Sequence, residues 1–287
     1  MTALRADDDR LIAVFPCYRY ITATGERSLR LVGCIEVADY LDLIIEKGCE
    51  ELALQAFLSA LTDGSAPAWD SVELCNLPED SPTLRELPAM ARDAGFQSTA
   101  LEEDVCPIIA LPADWETYLL SISKKRRHEI RRKLRRAEAE TDLECYVVED
   151  PHSLQHEMDI FLDLHQKSRP DKNDFMGKEM QTFFHAIARA MHAKGHLQLM
   201  QLKMNGRPEA SILSFDYDNK IMLYNSGFDP QGLSHLSPGN VLISRSIQHA
   251  IELGRSVFDF LQGDEEYKYR FGAQDTRVYR VLISRES

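Results

Sequence analysis

No stretch of this 287-residue sequence approaches the ~20 consecutive apolar residues that a membrane-spanning helix needs. A helical membrane protein is therefore not expected. The opening segment, with Arg5 and the acidic run Asp7–Asp9, lacks the apolar centre of a secretory signal. The six cysteines (Cys17, Cys34, Cys49, Cys75, Cys106 and Cys145) form no C-x-x-C pair and stand mostly in apolar runs. They read as buried free thiols of a reducing compartment, which points to the cytoplasm. His152 and His156 are four apart, but no H-E-x-x-H signature surrounds them, so no metal is expected. Positive charge is short as well: 33 Lys and Arg face 46 Asp and Glu, a net of −13. A protein that binds DNA at large would work against long-range phosphate repulsion. Internal repeats and low-complexity segments are missing too.

What is present is an alternation of strands and helices. The length suits two domains of ordinary size, and the charge divides them. Residues 1–110 hold 20 acids against 8 bases, whereas residues 111–287 hold 26 against 25. In the first part, Arg10–Tyr18, Leu29–Gly33, the extended run Ile35–Ile45, Ser71–Cys75 and Gln97–Leu111 are predicted strands. Helices are predicted over Glu50–Leu61 and from Ser81-Pro82 to Ala94. In the second part, helices are predicted over Asp114–Leu120, Lys124–Glu140, Ser153–Lys167 and Gly177–Ala193, with a strand at Leu143–Glu149. Three strands follow, His196–Met204, Ala210–Asp216 and Ile221–Phe228, joined by the turn pairs Asn205-Gly206 and Asp218-Asn219. A helix over Pro238–Leu253, a strand at Val257–Phe260, a helical turn near Glu265–Arg270 and a strand at Arg277–Ile283 complete the pattern. The fold class implied is α/β (α+β), a mixed sheet flanked by helices.

Two segments carry chemistry. Ser237-Pro238-Gly239-Asn240 lies between a strand and a strongly periodic helix. Ser237 suits the N-cap, Pro238 the first helical position, and Gly239 leaves room for a ligand to approach the backbone. Unpaired amides and the positive dipole end there suit a pyrophosphate; taken alone, the tetrapeptide reads first as a plain cap. The second segment is Phe258-Asp259-Phe260-Leu261-Gln262-Gly263-Asp264-Glu265-Glu266-Tyr267-Lys268-Tyr269-Arg270-Phe271-Gly272. Together, S-P-G-x-x-L-x-x-x-x-I-x-x-A and F-D-F-x-x-G-D-E-x-Y-K-Y-R-F-G resemble the acetyltransferase domain of CelD-type cellulose-biosynthesis proteins. That domain is a GNAT fold related to one lobe of the Fem-type peptidyltransferases. The basic run Leu119–Arg136 and Asp39-Tyr40-Leu41-Asp42 are similar to that family as well. The family carries further helices before its first strand, so either a shortened member or a fragment is expected, with a GNAT-like lobe over residues 1–110 and the acyltransferase domain over 111–287.

The resemblance implies transfer of an acyl group, acetyl above all, from acyl-CoA to an amine. The acceptor implied is a small or carrier-linked amine, such as an amino sugar of envelope polysaccharide. Aminoacyl-tRNA is the donor in the Fem branch, and tRNA enters only under that alternative. A catalytically inert module binding partners through the basic helix is the remaining alternative. Ser237, Pro238, Gly239 and Asn240 then map onto the donor cradle. Tyr267 takes the place of the acid that protonates the departing thiolate; a packing role for its ring stands beside that reading. Lys268 is a candidate for neutralising developing charge or holding a phosphate, with a surface lysine as the plain reading. Asp259 either faces the cleft or pairs with an arginine.

The acceptor side is spread more widely. Lys124–Arg136 holds nine Lys and Arg and a single acid, Glu129. Such a helix repels itself, so acids are expected near it. The first half of the chain is the leading source, followed by a phosphorylated ligand and an anionic membrane surface. Arg127 and Arg131 are candidate acceptor contacts. Tyr40 and Asp42 would share one strand face, with Asp39 on the other, and Asp42 is the candidate base.

Overall fold

The computed structural model describes residues 2–34, 37–168 and 176–285. Its contacts divide the chain into two compact units, 1–106 with 275–287 and 107–274. The first boundary falls inside one long strand. The final strand groups with the N-terminal residues and not with 107–274.

The first unit opens with strands β1 (Thr2–Arg5), β2 (Leu11–Phe15), β3 (Cys17–Ile21), β4 (Arg27–Leu31) and β5 (Ile44–Ile45). The predicted strand Arg10–Tyr18 is split at Pro16, which has no amide to donate to a ladder. Helix α1 (Glu50–Thr62), β6 (Ser71–Pro78), α2 (Pro82–Asp93) and β7 (Phe96–Ala110) follow. Ser81 caps α2 by accepting from the Leu84 amide at 3.3 Å, Pro82 begins it, and Gly95 ends it at φ 85°. The small sheet runs β1-β2-β5. The larger one runs β3-β4-β6-β13-β7, where β13 is the final strand, Gln274–Arg285. Its core joins Leu54, Phe57, Trp69, Leu74, Leu87, Val281 and Ile283.

Two expectations about this unit are corrected. Of the predicted strand Ile35–Ile45, Ile35 and Glu36 lie outside the described residues, and only Ile44–Ile45 is strand. Asp39, Tyr40 and Asp42 therefore sit on irregular backbone, and the alternating faces assumed for them do not exist. The cysteines are also not all free thiols: Cys34 and Cys75 form a disulfide, with Cα atoms 6.0 Å apart. Cys17, Cys49 and Cys145 are free and half-buried, and Cys106, outside any disulfide, is buried.

The second unit contains α3 (Trp115–Ser121), α4 (Lys124–Glu140), β8 (Leu143–Val147), α5 (Leu154–Ser168) and α6 (Lys178–Ala193). The antiparallel strands β9 (Leu197–Met204), β10 (Arg207–Tyr217) and β11 (Lys220–Phe228) come next. Asn205-Gly206 and Asp218-Asn219 adopt positive φ at both turn positions, the geometry that two-residue hairpins demand. Helix α7 (Pro238–Glu252), β12 (Val257–Asp259) and the short α8 (Glu266–Arg270) complete it. The sheet order is β7-β12-β11-β10-β9-β8, with the end of β7 as its outer member.

Alternation along β10 sorts the two faces of this sheet. Ala210 and Ile212 join Val241, Leu242 and Ile247 of α7 in one core. Leu213 joins Phe161 of α5 and Phe184 of α6 in another. Burying these side chains contributes roughly 1.5–3 kcal/mol each for the larger ones. The sheet thus becomes a rigid platform clad on both faces. At the seam of β11 and α5, an added Cβ on Gly227 would lie 2.3 Å from the His165 amide nitrogen. Only glycine lets the strand and helix backbones approach this closely.

Candidate functional site

The site begins where two parallel strands part. β11 pairs with β12 only over Lys220–Met222 against Val257–Asp259. β12 then stops, while β11 continues to Phe228. Within that extension Leu213 pairs with Asn225 but Ser214 pairs with Leu223, so Tyr224 is an extra residue. A bulge of this kind re-aims the side chains beyond it. Just past it, the Asn225 amide oxygen lies 2.9 Å from His165 Nε2, in a buried setting beside Phe161.

The loop after β11 is tied down by Glu209, whose side chain is 4% exposed. Its Oε2 accepts from the Leu233 amide at 2.8 Å, and its carbonyl accepts from the Asp229 amide. This leads the chain into Ser237, which has φ 57° and ψ 55°. A hydroxyl cap is the expectation for Ser237, which stands at the N-cap of α7. Instead it is left-handed and makes no side-chain cap bond. Its carbonyl accepts from the Val241 amide. Pro238 starts the helix as expected and is buried. The amides of Gly239 and Asn240 have no hydrogen-bond partner among the described residues. An added Cβ on Gly239 would meet only Phe228 Cδ1, at 3.9 Å. Packing does not impose glycine there, and the space beside it stays open.

A cavity of about 560 Å³ opens at this helix end. Asn240 and Ser244 of α7 contribute to it, as do Ser123, Lys125, Arg126 and Lys133 from α4 and its cap. Ser123 caps α4 by accepting from the Arg126 amide at 3.4 Å. Two helix N-termini therefore converge on one cavity. The first turn of α4 holds no acid, although cations there oppose the helix dipole. Burial pulls the Lys133 ammonium below its ordinary range, with Glu129 partly opposing that pull. The arrangement suits an anion bearing several oxygens.

The same cavity is lined by Glu266 and Arg270 of α8, the helix that carries Tyr267. β12 ends at Asp259, 4% exposed, whose Oδ1 accepts from the Leu261 amide at 2.8 Å. Leu261 and Gly263 both take positive φ, at 56° and 106°. This turn is pinned by Lys268, 2% exposed, whose Nζ donates to the carbonyls of Leu261, Gln262 and Gly263 at 3.1, 2.6 and 3.0 Å. Nζ also lies 2.9 Å from the Glu265 carboxylate. The lysine proposed for phosphate or charge neutralisation thus spends its donors inside the protein. Tyr267 is half-buried, with its ring edge-on to Phe260 at 6.1 Å. Burial first, and Glu265 second, hold its hydroxyl protonated well above the ordinary tyrosine range. That hydroxyl has no hydrogen-bond partner among the described residues. The end of α8 is fixed from α3: Tyr118 donates to the Phe271 carbonyl at 2.9 Å.

The remaining sequence candidates are placed as follows. Arg127 donates to the carbonyls of Leu119 and Ile122, at 3.2 and 3.4 Å, and so closes the end of α3. Arg131 pairs with Glu116. The acids expected around α4 include Glu116, Glu129 and Glu140, all of the same unit. In the first unit, Asp42 accepts from the Leu43 amide at 2.7 Å and from Ser81 Oγ at 2.6 Å. It thereby braces the cap of α2. Asp39 and Tyr40 precede Leu41, whose amide donates to the Asn76 carbonyl. His152 and His156 are exposed, and no cluster of three metal-ligating side chains occurs among the described residues. Sequence reasoning missed Glu209, and also the pair formed by His165 and Asn225. A glutamate in a strand and a histidine in a helix carry no local signal of burial.

The family described as Acetyltransferase (GNAT) domain matches residues 124–269, which contain all of α4, α7 and Tyr267. A search of curated proteins finds no match. Among solved structures, FemX superposes with a TM-score of 0.65 at 12% identity, covering 97% of this chain and 87% of that one. The structure of L-PGS from Bacillus licheniformis gives 0.59 at 13% identity, covering 94% and 84%. A tandem GNAT protein from the clavulanic acid biosynthesis pathway gives 0.50 at 9% identity, covering 99% and 82%. At such identities the likeness is one of fold, and it agrees with the fold class read from the sequence.

Proposed function

The chain belongs to the Acetyltransferase (GNAT) domain family, and we propose that it is an N-acyltransferase drawing its acyl group from acyl-CoA, acetyl-CoA first. The observation that carries this reading is the convergence of the α4 and α7 N-termini on one basic cavity, bounded by the helix that bears Tyr267. Asn240, Gly239 and the cations Lys125 and Arg126 would hold the donor pyrophosphate. The acyl chain would enter where β11 and β12 part.

The acceptor amine, neutral, attacks the thioester carbonyl, so that a C–N bond forms and a tetrahedral oxyanion develops. Collapse breaks the C–S bond, Tyr267 gives its proton to the departing thiolate, and the proton shed by the former amine nitrogen passes to solvent, from which the tyrosinate is reprotonated. Burial keeps that hydroxyl protonated across the working pH range, so its proton is present when the thiolate departs. Lys268 and Asp259 act as positioning residues that fix the turn before Tyr267. Asp42, with both oxygens engaged in the first unit, is assigned no proton transfer. The acceptor proposed is an amino sugar or similar small amine of envelope polysaccharide, and this rests on the CelD-type resemblance of the two motif segments.

A second reading, aminoacyl transfer from charged tRNA, is favoured by one feature. Lys124, Lys125 and Arg126 are exposed and form no ion pair among the described residues, leaving more cations than a pyrophosphate needs. Thermal denaturation separates the two. Acetyl-CoA at 100 times its dissociation constant should stabilise the folded chain by about 2.7 kcal/mol. The acyl-CoA reading fails if no CoA species shifts the midpoint while charged tRNA does.

A further inference from the structure

A second cavity, of about 500 Å³, lies between α3, α4 and α7. On α4 it takes His128, Arg131, Leu134, Arg135 and Glu138, whereas the first cavity takes Lys125, Arg126, Glu129, Ile130 and Lys133. At 3.6 residues per turn, the two polar sets fall on opposite flanks of the helix. The second cavity is therefore not an extension of the first.

Its chemistry is distinct as well. Three arginines line it, Arg131, Arg135 and Arg245, and no lysine does. Guanidinium groups match phosphate oxygens in pairs, which ammonium groups cannot do. Arg245 is braced by Glu138 and by Gln248 Oε1 at 3.0 Å, and Arg131 by Glu116. Arg135 reaches only the backbone carbonyl of Arg131, at 3.3 Å, and has no carboxylate partner among the described residues. His128 likewise forms no ion pair among them. Trp115 and Leu134 supply the apolar wall. The indole is half-buried, with its centroid 5.1 Å from the Tyr118 ring. An aromatic wall beside arginines suits a planar ring carrying a phosphate, and the volume falls in the range of small-molecule sites.

We infer that this cavity is a mononucleotide site, with the base against Trp115 and the phosphate on Arg135 and Arg131. Its ligand is separate from the acyl donor, and the inference holds whether or not the acyl-CoA reading does.

The chain reports on the site by itself. It has two tryptophans, and Trp69 is 3% exposed in the core of the other unit. The experiment titrates the full chain with AMP, adenosine and inorganic phosphate while following tryptophan fluorescence, with phosphate also followed by calorimetry. AMP should quench saturably and bind at least about tenfold more tightly than adenosine or phosphate. Trp115→Phe should remove the quench, and Arg135→Glu should weaken AMP by about tenfold or more, the effect of losing one charge-assisted contact. Asn240→Asp, at the first cavity, should leave AMP binding unchanged. A lack of saturable quenching, or equal affinity for phosphate and AMP, would overturn the inference. So would competitive displacement of AMP by acetyl-CoA, because the nucleotide would then be the donor's own.

Discussion

Lys268 Nζ lies 2.6 Å from the Gln262 carbonyl oxygen, and the lysine side chain is 2% exposed. It serves as the peg of the turn that ends β12, so its removal orphans three carbonyls. Lys268→Met should lower stability by about 3 kcal/mol, given the worth of charge-assisted hydrogen bonds left unmade. Denaturant titration measures this. A variant as stable as the parent would mean that the peg is not needed.

Tyr267 offers the kinetic counterpart. Tyr267→Phe keeps the ring against Phe260 and removes only the hydroxyl. Turnover should fall by about 10²-fold or more while donor affinity stays the same. Burial raises its pKa above the ordinary value near ~10, so no basic limb from this residue should appear below about pH 10. The folded form holds the proton more tightly than the unfolded one. Its contribution to stability is therefore intact below about pH 10 and is lost as the pH rises towards the folded value. An alkaline limb near neutrality that disappears in Tyr267→Phe would contradict this.

Asn240→Asp separates helix stability from ligand binding. A carboxylate in the first turn of α7 complements the dipole and should add roughly 0.3–1 kcal/mol. The same charge repels a bound phosphate, so donor affinity should drop by about tenfold or more. Melting with and without acetyl-CoA reads both effects. A loss of stability together with retained affinity would remove Asn240 from the site.

Two glycines make a further pair. Gly227→Ala places a Cβ 2.3 Å from the His165 nitrogen and should cost about 3 kcal/mol through overpacking of two backbones. Gly239→Ala meets nothing closer than 3.9 Å, so its stability should be unchanged while acyl-CoA binding weakens. Equal destabilisation of both would show that the space at Gly239 belongs to packing.

The disulfide is checked by counting thiols. Alkylation of the unreduced, unfolded chain should modify Cys17, Cys49, Cys106 and Cys145 only, and prior reduction should add Cys34 and Cys75. Six modified cysteines without reductant would rule the bond out.

Regular elements were readable because their signals are local. Lys124–Glu140 has the bounds expected of it, since the apolar positions Ile130, Leu134 and Ala137 recur at helical spacing within the segment. Both hairpin turns announced themselves through asparagine, aspartate and glycine. The misreadings concern what the rest of the fold does to a side chain. Lys268 looks like any lysine in sequence, and only the turn above it makes it a buried peg. Ser237 precedes a proline and a glycine as a cap would, yet the loop held by Glu209 delivers it left-handed. Asp42 reads as a strand residue within the extended run Ile35–Ile45, but its partners Ser81 and Leu43 hold it on irregular backbone. The pairing of Cys34 with Cys75 spans 41 residues, beyond any local pattern.

The position of β13 has a consequence for synthesis. It lies between β6 and β7 in the first unit's sheet, with Val281 and Ile283 fully buried, yet it leaves the ribosome after all of residues 107–274. The first unit must wait with a gap in its sheet while residues 107–274 are already complete. Removing residues 275–285 would therefore damage the opposite end of the sequence first. Limited proteolysis of such a truncation should find the N-terminal hundred residues degraded around a surviving 107–274 fragment.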